Sequence, residues 1–293
     1  MRVLVIGASG MLGNAVFRVL SEKDEWKVYG TIRSADAKKF FDPFIQERLL
    51  RIEDILSQDE LVKIFTKVRP DIVINCVGLV KQLADADDPL LALPLNSLLP
   101  HRLADLCNLV GSRLIHISTD CVFSGSKGMY IETDHPDADD LYGRSKFLGE
   151  VAYSNSITLR TSIIGHELRN PHSLVDWFLS QSTQCKGYQR AIFSGLPTVV
   201  LAEIIRDVVI PNEDLEGLYH VAAEPISKYE LLHLIASAYE KNIEIIPDEE
   251  VKINRSLNCD AFKKATGYSA PCWPDLIKIM RADKLEMEKN VHR

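Results

Sequence analysis

The chain has 293 residues and a mass of 33.0 kDa, which is enough for one large domain or two fused ones with a sizeable core. Its formal net charge of −7 at pH 7 excludes the broad basic surface that nucleic acids or anionic membranes require. Hydrophobic residues make up 46% and charged residues 26%, a composition typical of a globular protein.

The first half of the chain alternates short β-branched runs with longer amphipathic segments. Strands are predicted at Val3–Ile6, Lys27–Ile32, Leu49–Ile52, Asp71–Cys76, Arg113–Ser118 and Ile157–Ile164. Helices are predicted at Leu12–Leu20, Asn96–Leu109 and Leu141–Tyr153. This alternation predicts an α/β fold of the Rossmann type, with a doubly wound parallel sheet that helices cover on both faces.

The regularity fades after Gly165, where a polar loop at Glu167–His172 is expected. The later predictions are helices at Leu174–Gln181, Leu201–Ile210, Ser227–Tyr239 and Pro274–Met280, a strand at Gly217–Ala222, and a partly frayed charged tail at Arg281–Arg293. Ser227 and Glu230 form a capping-box pattern. We therefore expect a cofactor domain over residues 1–165, with a return segment at about 196–222, and a smaller discontinuous substrate lobe over 166–195 and 223–293.

The six cysteines are scattered without a C-x-x-C pair or any ligand-like spacing, which predicts reduced thiols and no metal site. Every apolar run is interrupted by Pro, Asn or charged residues before it reaches the length of a membrane span. The first seven residues have too short an apolar core for a signal peptide and are typical of a strand. A cytoplasmic location is expected.

A glycine-rich loop, Gly7-Ala-Ser-Gly-Met-Leu-Gly13, lies between the first strand and the first helix. Glycines at this spacing allow a tight turn and a close approach of the backbone to a pyrophosphate, and the helix N-terminus offers unpaired N–H groups to the anion. Glycines also mark ordinary turns, but the strand–loop–helix context favours dinucleotide binding. The predicted contacts are Gly7, Ser9, Gly10, Met11, Leu12 and Gly13.

The second strand ends at Gly30-Thr-Ile-Arg-Ser34, without the acidic residue that would accept the ribose 2′-hydroxyl of NAD. Arg33 is placed to pair with a 2′-phosphate, which favours NADP(H), with NAD(H) as the alternative. An arginine on a solvent-exposed loop is the simpler interpretation of the same residue.

Tyr142 and Lys146 stand four residues apart at the start of a predicted helix, on one face of it. A free tyrosine has a pKa of about 10, so an ammonium group one turn away is expected to lower that pKa and to hold a nicotinamide ribose. The Y-x-x-x-K spacing also arises by chance on exposed helices. Its position after the strand that ends at Ile117-Ser-Thr-Asp120 favours catalysis, because ligands bind at the carboxyl ends of such strands.

Together these motifs resemble the extended short-chain dehydrogenase/reductases, and among them the dTDP-4-dehydrorhamnose reductase family, over nearly the whole chain. The more specific motifs are S-T-D-C-V-F-S-G at Ser118–Gly125, Arg160-Thr-Ser162 after the sixth strand, and the closing segments Arg255–Asn258 and Phe262–Tyr268. The resemblance implies a nucleotide-sugar enzyme that serves cell-surface polysaccharide synthesis. Related enzymes often form homodimers through helices of the cofactor domain, although this sequence does not define an interface.

The resemblance also implies roles for individual residues. Thr119 would hold the sugar oxygen beside Tyr142 and Lys146, and Asn96 would be the structural asparagine of its helix. The implied cofactor contacts are Asp54, Ile55, Asn75, Val77, Gly78, Asn96, Ser118, Ser162 and Ile163. Judged from the sequence alone, Asp54 is a helix cap and Asn75 a turn residue.

The chain departs from the family at Cys121, where the family usually has tyrosine, and in the segment Val77–Gln82. Both regions face the substrate in related enzymes, so Lys81, Gln82, Asp120 and Cys121 are candidate substrate contacts. Arg190 is the foremost basic candidate for gripping a nucleotide diphosphate, followed by Arg169 and His172. A solvated surface position is the alternative for each of these basic residues.

The resulting hypothesis is NAD(P)H-dependent reduction of a 4-keto nucleotide-linked deoxysugar. An epimerase of the same superfamily is the second enzymatic hypothesis, while a dehydratase is disfavoured because Asp120 is followed by Cys121 and not by glutamate. The rival from another class is a non-catalytic regulator, since the family resembles the regulatory subunit of methionine adenosyltransferase. The presence of Thr119, Tyr142 and Lys146 argues for catalysis.

Overall fold

The computed structural model describes residues 1–79, 87–169 and 173–291, with the side chains of the last helix described as far as Lys289. Seven parallel strands form the central sheet, in the order β11-β6-β5-β4-β1-β2-β3. Their bounds are β1 Arg2–Ile6, β2 Lys27–Ile32, β3 Leu49–Arg51, β4 Ile72–Asn75, β5 Arg113–Thr119, β6 Ser156–Thr161 and β11 Gly217–His220. The predicted parallel α/β fold is confirmed.

Eleven α-helices accompany these strands in the described residues. They are α1 Met11–Ser21, α2 Pro43–Gln46, α3 Gln58–Val68, α4 Pro89–Ala92, α5 Leu99–Val110, α6 Leu141–Leu148, α7 Leu174–Ser180, α8 Thr198–Ile204, α9 Lys228–Ala238, α10 Asp260–Thr266 and α11 Trp273–Val291. Two wide π-helical turns, Leu93–Leu98 and Ile205–Val209, adjoin α5 and α8, and 3₁₀ turns cover Ala35–Phe40 and Asp120–Val122.

Alternate residues of the buried strands enter two separate cores, as a sheet covered on both faces requires. Val3 and Val5 pack with α1, α8 and α11, whereas Leu4 and Ile6 pack with α3 and α5. The β-branched runs are therefore continuous in the sequence because both faces of each strand are buried. Because β5, β4 and β1 are parallel neighbours in the sheet, their carboxyl ends lie together at one edge.

Smaller strands, which the sequence pattern did not reveal, form three further sheets outside the central one. In one of them, β9 Ala191–Phe193 pairs antiparallel with β12 Ile226–Ser227 and parallel with β14 Ile253–Asn254. Two further pairs are β13 Glu244–Asp248 with β8 Gln184–Tyr188, and β10 Leu196–Pro197 with β7 Ile163–Ile164. Strands this short carry too few residues to show a periodicity. The division of the chain into two lobes at residue 165 stays a prediction.

Two of the predicted elements end several residues earlier in the structure, because contacts with distant parts of the chain end them. The predicted strand Ile157–Ile164 divides after Thr161, because the Ser162 carbonyl accepts the N–H of Leu196 at 2.8 Å and Ile163–Ile164 pair outside the main sheet. The predicted helix Leu141–Tyr153 ends at Leu148. At the next residue, Gly149, a Cβ atom would lie 1.9 Å from the Asn96 carbonyl oxygen, so this close contact places a glycine at the helix end.

The charged tail Arg281–Arg293 was predicted to be partly frayed, and its described residues continue the last helix: α11 extends from Trp273 to Val291. Asp283 is paired with Arg18 of α1 at 2.8 Å, and Met287 is buried. The many charged residues of this segment are typical of a solvated tail, but these two contacts hold the helix against the rest of the protein. The predicted capping box is confirmed, since Ser227 accepts the N–H of Glu230 and the Glu230 carboxylate accepts that of Ser227.

All six cysteines are free thiols, as predicted. Within residues 1–79, 87–169 and 173–291, none of the helices combines the length and apolar character that a membrane crossing requires.

Candidate active site

The glycine loop leaves the end of β1 and enters α1 in a geometry that only glycine allows at its two ends. Gly7 has a φ of +87°, and its N–H donates to Thr31 Oγ1 at 2.9 Å. A Cβ atom on Gly13 would lie 2.0 Å from the Gly7 carbonyl oxygen. Gly10 caps α1 without a side-chain hydrogen bond, and the first turn contains no acidic residue. The N–H groups of this turn are therefore available to an anion.

The other predicted loop contacts differ in accessibility. Gly10 is exposed, Ser9 and Met11 are half-buried, and Leu12 is buried in the core. Leu12 can therefore contribute only its backbone N–H to a ligand.

Arg33 lies directly after β2 with an exposed side chain, and Ser34 caps the following turn by accepting the N–H of Asp36 at 3.3 Å. Asp54 was predicted from the sequence to cap a helix, but Ser57 holds that position in α3. Asp54 instead accepts the N–H of Leu56 at 2.9 Å, and its neighbour Ile55 is half-buried.

The three predicted catalytic residues come together at the carboxyl end of β5. Lys146 is buried, and its Nζ donates to the carbonyl oxygen of Ile117 at 2.8 Å. Tyr142 is one turn earlier on α6, and the Thr119 hydroxyl beside it acts to lower its pKa. Thr119 also donates to Asp120 Oδ1 at 3.2 Å and accepts the backbone N–H of Cys121 at 3.1 Å. A tyrosine hydroxyl, a threonine hydroxyl and an ammonium group thus line one end of the sheet.

The expected effect of Lys146 on Tyr142 is not what the structure shows. Burial raises the pKa of Tyr142, the nearby Cys121 raises it further, and the hydrogen bond with Thr119 only partly opposes this. Burial also lowers the pKa of Lys146 to about 8, against the opposing charges of Glu150 and Cys76. Tyr142 is therefore a neutral phenol at pH 7, the form that donates a proton.

The lowered pKa of Lys146 predicts a pH limit on activity. Below about 8 the ammonium is charged and can donate to ribose hydroxyls, and above it the charge is lost, so kcat/KM for the reduced cofactor should fall as pH rises through about 8. Steady-state kinetics on either side of that pH measures this. The decline should disappear in Lys146→Arg, whose guanidinium stays charged; a decline of the same size in both proteins would contradict the assignment.

The loop after β4 is fastened beside Lys146 by two asparagines. Asn75 Oδ1 accepts the N–H of Val77 at 3.1 Å, and its Nδ2 contacts Nδ1 of the fully buried His116 at 3.1 Å. Asn96 Oδ1 accepts the N–H of Leu79 at 2.8 Å. A Cβ atom on Gly78 would lie 3.6 Å from Lys146 Nζ, so the loop backbone passes directly over the ammonium.

Asn96 also connects that loop to the catalytic helix. Its Nδ2 donates to Ser145 Oγ at 3.1 Å, immediately before Lys146 in α6. The sequence predicted a helix over Asn96–Leu109. In the structure α5 begins at Leu99, and Asn96 lies in the preceding π-helical turn Leu93–Leu98. A π turn adds a residue to the helical circuit and reorients the side chains around it. His116 and Ser145 were not identified from the sequence, because His116 lies in no motif and Ser145 occupies an unspecified position of Y-x-x-x-K.

A buried ion pair between Glu150 and Arg160 contacts the end of β5. Glu150 accepts the Ser118 hydroxyl at 2.7 Å and the Nε and Nη2 groups of Arg160, each at 2.7 Å. The Arg160 and Glu150 side chains are only 3% and 10% exposed. Arg160 belongs to the R-T-S motif, but Glu150 was not predicted to have a role.

Removing one partner of this pair should be strongly destabilising. Arg160→Met leaves the Glu150 carboxylate buried and unpaired, so the free energy of unfolding should fall by about 3–5 kcal/mol, measured by urea denaturation. The double variant Arg160→Met with Glu150→Gln should regain part of that loss, because no uncompensated charge is left. Equal stability of the single variant and the parent protein would show that the pair contributes nothing.

On the substrate side, Asp120 is 5% exposed and burial raises the pKa of its carboxyl, while Arg255 and hydrogen bonds with Cys121, Thr119 and Ser162 act to lower it. Burial also raises the pKa of the Cys121 thiol to about 12. Ser162 and the half-buried Ile163 follow β6 on the same side of the sheet. Asp120, Cys121 and Ser162 are thus next to the Thr119 hydroxyl.

The two described basic residues that were named from the sequence, Arg190 and Arg169, do not contact this cluster. Arg190 is exposed between β8 and β9, and the Arg169 guanidinium lies 5.7 Å from the Phe40 ring centroid. Lys81, Gln82 and His172 lie outside the described residues. The cations whose charges act on Asp120 are instead Lys228 and Arg255. Only Arg255 belonged to a motif, and nothing in the sequence marks Lys228.

Comparisons with known proteins place the chain in a family and a fold class. The chain matches the family described as RmlD substrate binding domain over residues 1–280. It is 26% identical over 308 residues to methionine adenosyltransferase 2 subunit beta of Xenopus laevis, which covers 94% of this chain and 88% of that protein. It is 33% identical over 169 residues to a probable low-salt glycan biosynthesis reductase, Agl14, of Haloferax volcanii, which covers 56% of this chain and 54% of that protein.

Among solved structures, the dTDP-4-dehydrorhamnose reductase of Bacillus anthracis, crystallised in complex with NADP, superposes with a TM-score of 0.78. The identity is 23%, and the alignment covers 96% of this chain and 99% of that one. A similarity at this level of identity concerns the fold, and it confirms the predicted Rossmann-type architecture.

Proposed function

Because the chain belongs to the RmlD substrate binding domain family, we propose that it is an NAD(P)H-dependent reductase of a keto group, at C4, of a nucleotide-linked deoxysugar. The observation that carries this proposal is the neutral Tyr142 hydroxyl, which lies beside Thr119 and one helical turn from Lys146. The N–H groups of the first turn of α1, which follows β1, lie at the same edge of the sheet. Such sugars serve cell-surface polysaccharide synthesis.

The residues present suit a nicotinamide dinucleotide. Gly7 and Gly13 leave no room for a Cβ, so the loop backbone is open to a pyrophosphate, and the exposed Arg33 after β2 suits the 2′-phosphate of NADP. The loop residues Asn75 to Gly78 and the Lys146 ammonium would hold the nicotinamide end. The bound dinucleotide would supply the hydride, and the protein would supply position and proton transfer.

The chain's own side chains divide the remaining work. Tyr142 would give its proton to the oxygen of the carbonyl as that oxygen gains charge, and Thr119 would orient this oxygen through its hydroxyl. Lys146 would hold the nicotinamide ribose through its ammonium group, since it is not among the groups that shift the pKa of Tyr142. Asn96, through Ser145 and the loop at Leu79, holds α6 in place.

A second candidate function is regulation of a partner enzyme without turnover. It is supported by the similarity to methionine adenosyltransferase 2 subunit beta of Xenopus laevis, which extends over 94% of this chain. The presence of Thr119, Tyr142 and Lys146 in hydrogen-bonding positions favours the reductase.

The decisive experiment is a screen of 4-keto nucleotide sugars with NADPH and with NADH, followed through the absorbance of the reduced nicotinamide. The proposal predicts stoichiometric oxidation of the cofactor with at least one sugar, and faster turnover with NADPH than with NADH. Turnover of a nucleotide sugar without net oxidation would indicate an epimerase. No oxidation with any of these sugars, together with co-purification of a partner enzyme, would favour the regulator.

A further inference from the structure

The substrate side of the site contains two half-buried cations, Lys228 and Arg255. Lys228 is the first residue of α9, and Arg255 directly follows β14. Ser227 and Asn254, the residues that precede them, both pair with Ile192 of β9. The three-stranded sheet of the second lobe thus brings two chain segments, far apart in sequence, to the same region.

These cations face the catalytic end of β5. Arg255 lies next to the turn Asp120–Val122, since its Nε donates to the carbonyl oxygen of the following residue, Phe123, and the charge of Asp120 acts on Lys228. Asp120 accepts the Thr119 hydroxyl at 3.2 Å. The cluster therefore adjoins the hydroxyl group that would hold the substrate carbonyl.

The cluster contains more positive charge than its one carboxylate balances. Arg255 Nε donates to the Phe123 carbonyl oxygen at 2.7 Å. Across the described parts of the chain, neither its terminal nitrogens nor Lys228 Nζ has a hydrogen-bond or ion-pair partner. An ammonium and a guanidinium that are half removed from water favour anionic oxygen acceptors strongly, because their lost hydration is not otherwise replaced.

We propose that Lys228 and Arg255 form an anion-binding subsite next to Asp120 that receives a carboxylate or phosphate group of the substrate. A guanidinium and an ammonium offer several N–H donors to the paired oxygens that both groups carry. Assigning this anion to the substrate rests on the proposed function, whereas the binding of an anion there does not. Arg190, the candidate named from the sequence, is exposed and lies outside this cluster.

The test is isothermal titration of the NADP-loaded protein with UDP, UDP-glucose and UDP-glucuronate, and with the thymidine forms of the first two. UDP-glucuronate differs from UDP-glucose by a carboxylate on the carbon next to C4, so the pair separates the two sources of the anion. The variant is Lys228→Gln, and the matched control is Lys252→Gln, which removes an exposed positive charge on the same lobe. Thermal unfolding verifies that both variants fold.

If the subsite takes the diphosphate, Lys228→Gln weakens every probe by about tenfold or more, the loss expected for one charged hydrogen bond. If it takes a carboxylate, only UDP-glucuronate weakens by that factor. Lys252→Gln leaves all affinities unchanged, and Lys228→Arg restores them. Unchanged affinity of Lys228→Gln for every probe overturns the proposal, as does a parent protein that binds none at millimolar concentration. Turnover is not measured, so a failed reductase screen leaves this result standing on its own.

Discussion

Replacing Tyr142 by phenylalanine should lower kcat for reduction by about a thousandfold while the protein still binds its cofactor. The substitution removes only the hydroxyl beside Thr119, which as a neutral phenol is the proton donor of the proposed reaction. The aromatic ring and its packing on α6 are retained. Stopped-flow or steady-state measurement of the oxidation of the reduced cofactor gives kcat, and fluorescence titration gives the affinity for the cofactor.

Tyr153→Phe is the matched control. Tyr153 is 50% exposed, and its hydroxyl contacts His101 Nδ1 at 2.8 Å, outside the site. The loss of this exposed hydroxyl should leave kcat within a small factor of the parent value. A Tyr142→Phe protein that turns over a keto sugar as fast as Tyr153→Phe does would refute the assigned chemistry, because no other described phenol contacts Thr119.

Replacing Gly13 by alanine should weaken cofactor binding by about a hundredfold, since backbone displacements near 1 Å at a binding site have effects of this size. The added methyl group would lie 2.0 Å from the Gly7 carbonyl oxygen and 3.2 Å from Ala8 Cα. Both neighbours are backbone, so the loop itself must move, and its N–H groups move with it. The affinity for NADPH, measured by fluorescence titration, reports the displacement.

Gly111→Ala serves as the control for this prediction. Gly111 ends α5 with a φ of +72°, and nothing lies within 4 Å of the Cβ position. The variant should lose about 1 kcal/mol of stability through backbone strain and keep its affinity for NADPH. If Gly13→Ala bound NADPH as tightly as Gly111→Ala, the glycine loop would not be the pyrophosphate site.

The sequence identified the features that depend on neighbours along the chain. The Gly7–Gly13 loop, the Tyr142–Lys146 spacing and the Ser227 capping box are each complete within a few residues, so local rules of backbone and helix geometry are sufficient to predict them. The parallel sheet followed from the continuous apolar runs of its strands. The predicted ends of helices and strands were less accurate where a contact between distant residues sets them. One case is the end of α6, where Gly149 packs against the Asn96 carbonyl.

The chain order of the residues therefore determined the fold class, the glycine loop and the catalytic pair. Only the tertiary structure decided the protonation of Tyr142, the Glu150–Arg160 pair behind Ser118, and the position of Lys228 and Arg255 beside Asp120. The reason is that pKa values and ion pairs depend on burial and on charges brought together from separate segments. These distances are set by packing, which no spacing within the sequence records.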